Sequence, residues 1–153
     1  MAKAPSMRRL VRTLVLIGLI WYPVPATAQD YDAETEEVFQ AVARIMGISI
    51  REEVPRPRIL VGSEVDPAAF SRYVGFDTEG KIFSAYFPEP NLIVLSRWER
   101  HTLAHELAHY FQVMYWGMTA NDPRDTIERQ ATAVEEHFRD QERMGDESEA
   151  SAR

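Results

Sequence analysis

The sequence has no cysteine. A disulfide framework, a thiolate metal ligand and a cysteine nucleophile are therefore excluded, and any bound metal must be held by histidine and carboxylate groups. The usual bacterial lipid anchor is excluded too, because it is attached to a cysteine. Histidine is also scarce, with four residues in the chain, so a pattern that uses two of them is hard to explain by accident.

Basic charge is scarce once the N-terminal segment is set aside. Residues 1–28 hold four of the 17 basic residues and no acidic one, which leaves 13 basic against 24 acidic residues, a net charge of −11. Nucleic acid needs a basic surface for its phosphates, and so does an anionic lipid surface. We expect neither partner. The remaining 125 residues are enough for one compact domain with a core.

The long apolar run of this chain lies near the N-terminus. Four basic residues precede the segment 14–21, and Ala26-Thr27-Ala28 follows it. This order is typical of a secretory signal peptide, so residues 1–28 are predicted to be removed by cleavage after Ala28. An uncleaved anchor is the alternative, but the run is shorter than the roughly 20 apolar residues that span a bilayer. We expect a periplasmic or secreted protein with no stable membrane insertion after signal removal.

Residues 29–139 predict one α+β domain. Apolar residues at helical spacing after Asp32, which can serve as the N-cap, predict an N-terminal helix that ends at Gly47. Short segments rich in β-branched and aromatic residues predict a small twisted, mostly antiparallel sheet of three or four strands: 59–61, 73–76, 82–87 and 92–95.

Two more helices are predicted after the sheet. Ser96 and Glu99 have the spacing of a capping box, which predicts a helix over residues 97–116. Asp122 is the predicted N-cap of a last helix, whose inward apolar stripe ends at Phe138. The polar and charged residues 140–153 predict a solvated, partly disordered tail.

Residues 105–109 read His-Glu-Leu-Ala-His in the middle of the predicted helix. Positions i and i+4 lie one above the other on a helix, so His105 and His109 can bind one tetrahedral Zn²⁺ while Glu106 faces water held by the metal. His101 continues the spacing, but a straight helix drifts by about 40° at each such step. His101 is therefore predicted either to contact a ligand residue without binding the metal itself or to be exposed.

Zinc needs a further protein ligand. A third histidine at position 115 is absent, because that residue is tyrosine. In the last helix, Glu128 and Glu135 share one flank of the apolar stripe. We favour Glu128, which is nearer the start of that helix, with Glu135 as the second choice or as the hydrogen-bond partner of a histidine. The competing interpretation makes Glu128 a solvated carboxylate paired with Arg124 or Arg129.

This pattern resembles the gluzincin branch of the zincin-like metallopeptidases. The resemblance covers residues 84–138 and depends on the His-Glu-x-x-His motif and on Glu128-Arg129-Gln130-Ala131, which is similar to the segment that carries the third ligand in that family. It implies peptide hydrolysis with Glu106 as the general base, and an edge strand near residues 84–87 that pairs with extended substrate. Candidates for oxyanion stabilisation or substrate contact are Tyr86 and His137.

The leading hypothesis is therefore a zinc metallopeptidase that acts on peptide or protein substrates. The alternative is a catalytically inactive zinc-binding domain with a structural or binding role. A third hypothesis, an interaction module without metal, predicts that no zinc is bound.

Overall fold

The computed structural model describes residues 31–151, so the predicted signal peptide lies outside the described residues. The described part has a mixed α+β fold with four α-helices and one three-stranded sheet, as predicted at that level. None of these helices combines the length and the apolar character needed to cross a bilayer. The elements are, in chain order, α1 (Ala33–Ile45), β1 (Arg58–Val61), α2 (Pro67–Val74), β2 (Ala85–Phe87), β3 (Leu92–Leu95), α3 (Arg100–Met114) and α4 (Arg124–Ser151).

The sheet has the order β1-β3-β2, with β3 in the centre and β2 at one edge. All four residues of β3 are buried. β2 pairs antiparallel with β3, but β1 pairs parallel with it, so the prediction of a mostly antiparallel sheet was wrong. The physical reason is the long connection that contains α2, because a parallel pair needs such a crossover whereas an antiparallel pair can be closed by a short turn.

The predicted strand at residues 73–76 is also wrong, since Tyr73 and Val74 form the end of α2 and the chain turns at Gly75. The Asp66 carboxylate accepts from the backbone N–H groups of Ala68 and Ala69, and Pro67 occupies the first turn. Gly75, with φ 81°, ends the helix in the left-handed conformation. These start and stop signals outweigh the strand preference of the aromatic residues between them.

The main core lies between one face of the sheet and the helices α1, α3 and α4. The start of α1 is as predicted, because the Asp32 carboxylate accepts from the Thr35 N–H at 2.8 Å. Phe39 on α1 packs against Tyr110 and Phe111 on α3. The other face of the sheet is covered by Phe70 of α2, which belongs to a smaller cluster. Helix α3 is thus covered on several sides, which fixes the His-Glu-x-x-His segment in place.

Neither of the predicted caps at the later helices forms. Ser96 donates its N–H to the Ser84 hydroxyl, and α3 begins after Glu99, whose carboxylate accepts from the Thr102 hydroxyl. The Asp122 carboxylate accepts from the N–H of Thr119, so it closes the preceding turn instead of capping α4. Short polar side chains can bond to groups other than a helix end: the Ser96 hydroxyl lies 3.4 Å from the Ser84 hydroxyl, and the Asp122 carboxylate bonds to the preceding turn.

Helix α4 continues to Ser151, so the described part of the segment that was predicted to be a partly disordered tail is helical. Most of its side chains beyond Arg139 are exposed, as expected. An Arg143–Asp140 ion pair supports this segment locally, and Glu142 pairs with Arg100 of α3. The contact with Arg100 explains the difference, since it joins residues far apart in sequence and composition alone does not reveal it.

Candidate metal centre

Helix α3 brings His105 and His109 together on its side toward α4. The two rings lie one turn apart with centroids 4.8 Å from each other, and their Nε2 atoms are 3.1 Å apart. Their side chains are 20% and 16% exposed, so both rings are partly covered and still reachable from solvent. The i, i+4 spacing of the motif therefore produces the predicted pair of nitrogens.

Helix α4 adds Glu128 to this pair. One carboxylate oxygen, Oε2, lies 3.7 Å from Nε2 of His105 and 3.6 Å from Nε2 of His109. The other oxygen is 3.9 Å from Arg124, so the predicted ion pair with Arg124 coexists with the approach to the histidines. The Glu128 side chain is 47% exposed, which leaves one side of the cluster open.

These three groups are able to hold a metal ion. Donor atoms at about 2.0–2.1 Å from a tetrahedral zinc ion are about 3.3 Å from one another. The separations of 3.1, 3.6 and 3.7 Å bracket that value. Two imidazoles and one carboxylate are also a donor set that zinc accepts, with one position left for water or substrate. The residues therefore fit a divalent metal of this type.

The outer nitrogens of both histidines have partners. His105 Nδ1 lies 3.0 Å from Glu135 Oε2, and Arg139 lies 2.6 Å from the other oxygen of Glu135. His109 Nδ1 lies 2.9 Å from Oε1 of Gln112. Such partners orient a ligand ring and fix which nitrogen carries its proton. The structure places Glu135 behind His105, in the role given as the alternative to direct ligation.

Burial and neighbouring charges shift the titration of two groups in the cluster. Burial, followed by the charge of Glu128, raises the pKa of Glu106 to about 8, while the backbone N–H of Tyr86 acts in the opposite direction. Burial also lowers the pKa of His109, although its contact with Gln112 opposes that shift. A neutral imidazole is the form that binds a metal. His109 is thus held in a state suited to ligation.

Glu106 lies beside the cluster and is not one of the three grouped ligands. Its side chain is enclosed, with the residue 6% exposed, and the backbone N–H of Tyr86 on the edge strand β2 is close enough to lower the pKa of its carboxyl group. A carboxylate in this position, next to but outside a metal-binding set, is what a general base requires.

Other predicted site residues lie elsewhere. The Tyr86 hydroxyl donates to Asn91, so only the backbone of Tyr86 approaches Glu106. His137 is exposed and contacts Gln141 one turn further along α4, about 200° around the helix from Glu135. His101 pairs with Glu99 at 3.3 Å, away from the candidate ligands. The structure brings neither the Tyr86 hydroxyl nor His137 into the cluster.

Two members of the site were not foreseen. Gln112 is fully buried and contacts His109, and Arg139 holds Glu135. The sequence did offer a signal for Gln112, because an uncharged polar residue on the otherwise apolar part of α3 needs a buried partner. Arg139 carried no such signal, since an arginine four residues after a glutamate is common on helix surfaces.

Comparison of this chain with protein-family models, with curated proteins and with solved structures finds no match. The resemblance to gluzincins therefore remains a prediction from the two motifs.

Proposed function

We propose that this protein is a zinc-dependent peptidase that acts in the periplasm or outside the cell. The observation that carries the proposal is the convergence of His105, His109 and Glu128 on one small volume, at separations that suit a tetrahedral ion. A bound zinc ion would acidify water and polarise a substrate carbonyl. The predicted signal peptide, residues 1–28, supports the location.

Glu106 is the residue that we assign to proton transfer. Its carboxylate would take a proton from the attacking water and later give it to the leaving amine. The enclosure of Glu106 and the nearby charge of Glu128 both raise its affinity for a proton, which suits a base that has to hold the proton between the two steps.

A peptide is the substrate class that the surroundings favour. Strand β2 lies at the edge of the sheet, and the backbone N–H of Tyr86 in this strand is close enough to Glu106 to lower the pKa of its carboxyl group. The backbone groups of an edge strand can pair with an extended peptide. Such pairing would bring a peptide bond next to the proposed general base, as the gluzincin resemblance implies.

A catalytically inactive zinc-binding domain is the second candidate. The observation in its favour is that the ligands come from two helices that pack against each other, so an ion would link α3 to α4 as a structural staple does. The two candidates differ in the role of Glu106, because a staple needs His105, His109 and Glu128 but has no use for a general base.

Metal content tests the shared part of both candidates. The secreted protein is expected to hold one zinc ion per chain, whereas His105→Ala and Glu128→Ala lose it or bind it far more weakly. Glu136→Ala, which changes an exposed carboxylate on the same helix, serves as the matched control. Full zinc stoichiometry and affinity in Glu128→Ala would remove Glu128 from the ligand set.

Glu106→Gln separates the peptidase from the staple. The variant is expected to keep its zinc and its fold while the rate of peptide hydrolysis, measured with a mixed peptide library and mass spectrometry, falls by at least about 100-fold. A zinc-loaded wild type that cleaves nothing in the library, or a Glu106→Gln variant with undiminished cleavage, would favour the structural role.

A further inference from the structure

Gln112 is a fully buried amide in the last part of α3. A buried amide is costly unless its oxygen and its nitrogen both have partners. Its oxygen lies 2.9 Å from Nδ1 of His109, and its nitrogen donates to the backbone carbonyl of Ile127 at 2.9 Å and to Gln130 at 3.2 Å. All three partners are polar groups at or beside the candidate metal centre.

The partners fix the orientation of this amide. A backbone carbonyl only accepts hydrogen bonds, so the side of Gln112 that faces Ile127 has to be the NH₂ group. The oxygen then faces His109, and His109 has to donate from Nδ1. The neutral ring consequently keeps its lone pair on Nε2, which faces His105 and Glu128.

The same amide reaches the backbone that carries the third ligand. Ile127 lies in the first turn of α4 and directly precedes Glu128. The hydrogen bond from Gln112 to its carbonyl thus connects the α3 residue behind His109 to the α4 position of the carboxylate. His105 has a different arrangement, because its partner Glu135 carries charge and lies two turns further along α4.

We propose that Gln112 is a positioning residue of the metal centre, which holds His109 in the Nδ1–H form and fixes the start of α4 so that Glu128 faces both histidines. The part that concerns metal rests on the proposed function. The part that concerns the proton of His109 does not, and it is measurable in protein without metal.

The first measurement is the position of that proton. In metal-free wild-type protein at mildly alkaline pH, ¹⁵N NMR of the histidine side chains is expected to show His109 protonated on Nδ1. Gln112→Met, which keeps the side-chain length and removes the hydrogen bonds, is expected to lose this preference. A wild-type His109 protonated on Nε2 would overturn the proposal, whatever the variant does.

The second measurement is affinity for Zn²⁺ by competition with a chelator, with Co²⁺ absorption as a probe of ligand geometry. Gln112→Met is expected to weaken zinc binding by about 10- to 100-fold, as is usual when a partner behind a ligand is lost. Gln112→Glu is expected to keep the Nδ1–H form but still bind zinc less well, because its carboxylate no longer donates to Ile127. If Gln112→Glu keeps the proton on Nδ1 of His109 but binds zinc weakly, the orientation of His109 and the placement of α4 are shown to be separate contributions of Gln112.

Gln130→Ala is the matched control. It removes the contact of Gln112 with the half-buried Gln130 while the bonds to His109 and Ile127 remain, so zinc affinity should change by less than about threefold. Thermal unfolding of every variant reports the fold. Equal zinc affinity and equal Co²⁺ spectra in wild type and Gln112→Met would refute the positioning role. Failure of the wild type to bind zinc would instead refute the proposed function, and the measurement of the His109 proton would stand as a separate result.

Discussion

The side of α3 that packs against α1 differs from the side that faces α4. Toward α1, Tyr110 and Phe111 meet Phe39, and all three residues are fully buried. Toward α4, the same helix presents His105 and His109, which are only partly covered and whose ring nitrogens all have polar neighbours.

This difference separates stability from chemistry within one helix. Burial of large aromatic side chains supplies stabilisation that depends on contact and not on direction. Polar groups at a partly covered site need defined partners, because an unpaired donor or acceptor there is costly. One side of α3 thus fixes the helix, and the other side can hold ligands in an orientation that packing alone would not choose.

The largest expected effect is on the apolar side. Phe39→Ala is expected to reduce the free energy of unfolding by about 3–5 kcal/mol, because it leaves a cavity against Tyr110 and Phe111. Urea denaturation measures this loss, and Phe76→Ala, at a 58% exposed position, should change stability by less than about 1 kcal/mol. Zinc affinity of the folded Phe39→Ala variant should stay near the wild-type value; a large fall would show that the two sides of α3 are not independent.

A smaller effect is expected on the polar side. Glu135→Ala removes the partner of His105 Nδ1 and is expected to weaken zinc binding by about 10- to 100-fold, with little change in stability. Chelator competition and urea denaturation measure the two quantities on the same samples. Arg139 contacts Glu135 but neither candidate histidine ligand, so Arg139→Ala should reduce zinc affinity less than Glu135→Ala does. The reverse order would contradict the assignment of Glu135 to His105.

The smallest expected effect concerns the ion pair between Glu36 of α1 and Arg56. The hydrogen bond from Arg56 lowers the pKa of Glu36 from the ordinary value near 4.5. A carboxyl group whose pKa is lowered by folding stabilises the folded state at pH values above its ordinary pKa. This stabilisation is lost as the pH falls through the pKa of the folded state. Because both side chains are about one-third exposed, Glu36→Gln should cost about 1 kcal/mol or less at neutral pH.

The measurement for Glu36 is the difference in unfolding free energy between wild type and variant, taken at about pH 7 and at about pH 3. The difference should shrink toward the acidic value, and zinc affinity should be unchanged. Glu52→Gln, at an exposed position, provides the control. A difference that grows on acidification would contradict the sign of the shift.

Local signals predicted some elements well and others poorly. The first helix was predicted with its cap because the Asp32 side chain bonds to the first turn of the helix that follows it, and the strands at residues 59–61 and 92–95 were predicted because they are short apolar runs. The segment at residues 73–76 was misassigned because aromatic residues favour strands only where a sheet is available to them. The direction of β1 relative to β3 depends on the path of the connection, which no local pattern records.

The candidate site shows the same division. The i, i+4 spacing of His105 and His109 fixes a pair of nitrogens on any helix that contains it, so the sequence by itself determined that pair, together with the absence of thiolate ligands. The packing of α4 against α3 decided that Glu128 approaches the Nε2 atoms of both histidines while Glu135 approaches Nδ1 of His105. It also decided that Gln112 contacts Nδ1 of His109 and the backbone of α4. Helical periodicity acts over a few residues and can be read from the chain, whereas the relative placement of two helices depends on the whole core between them.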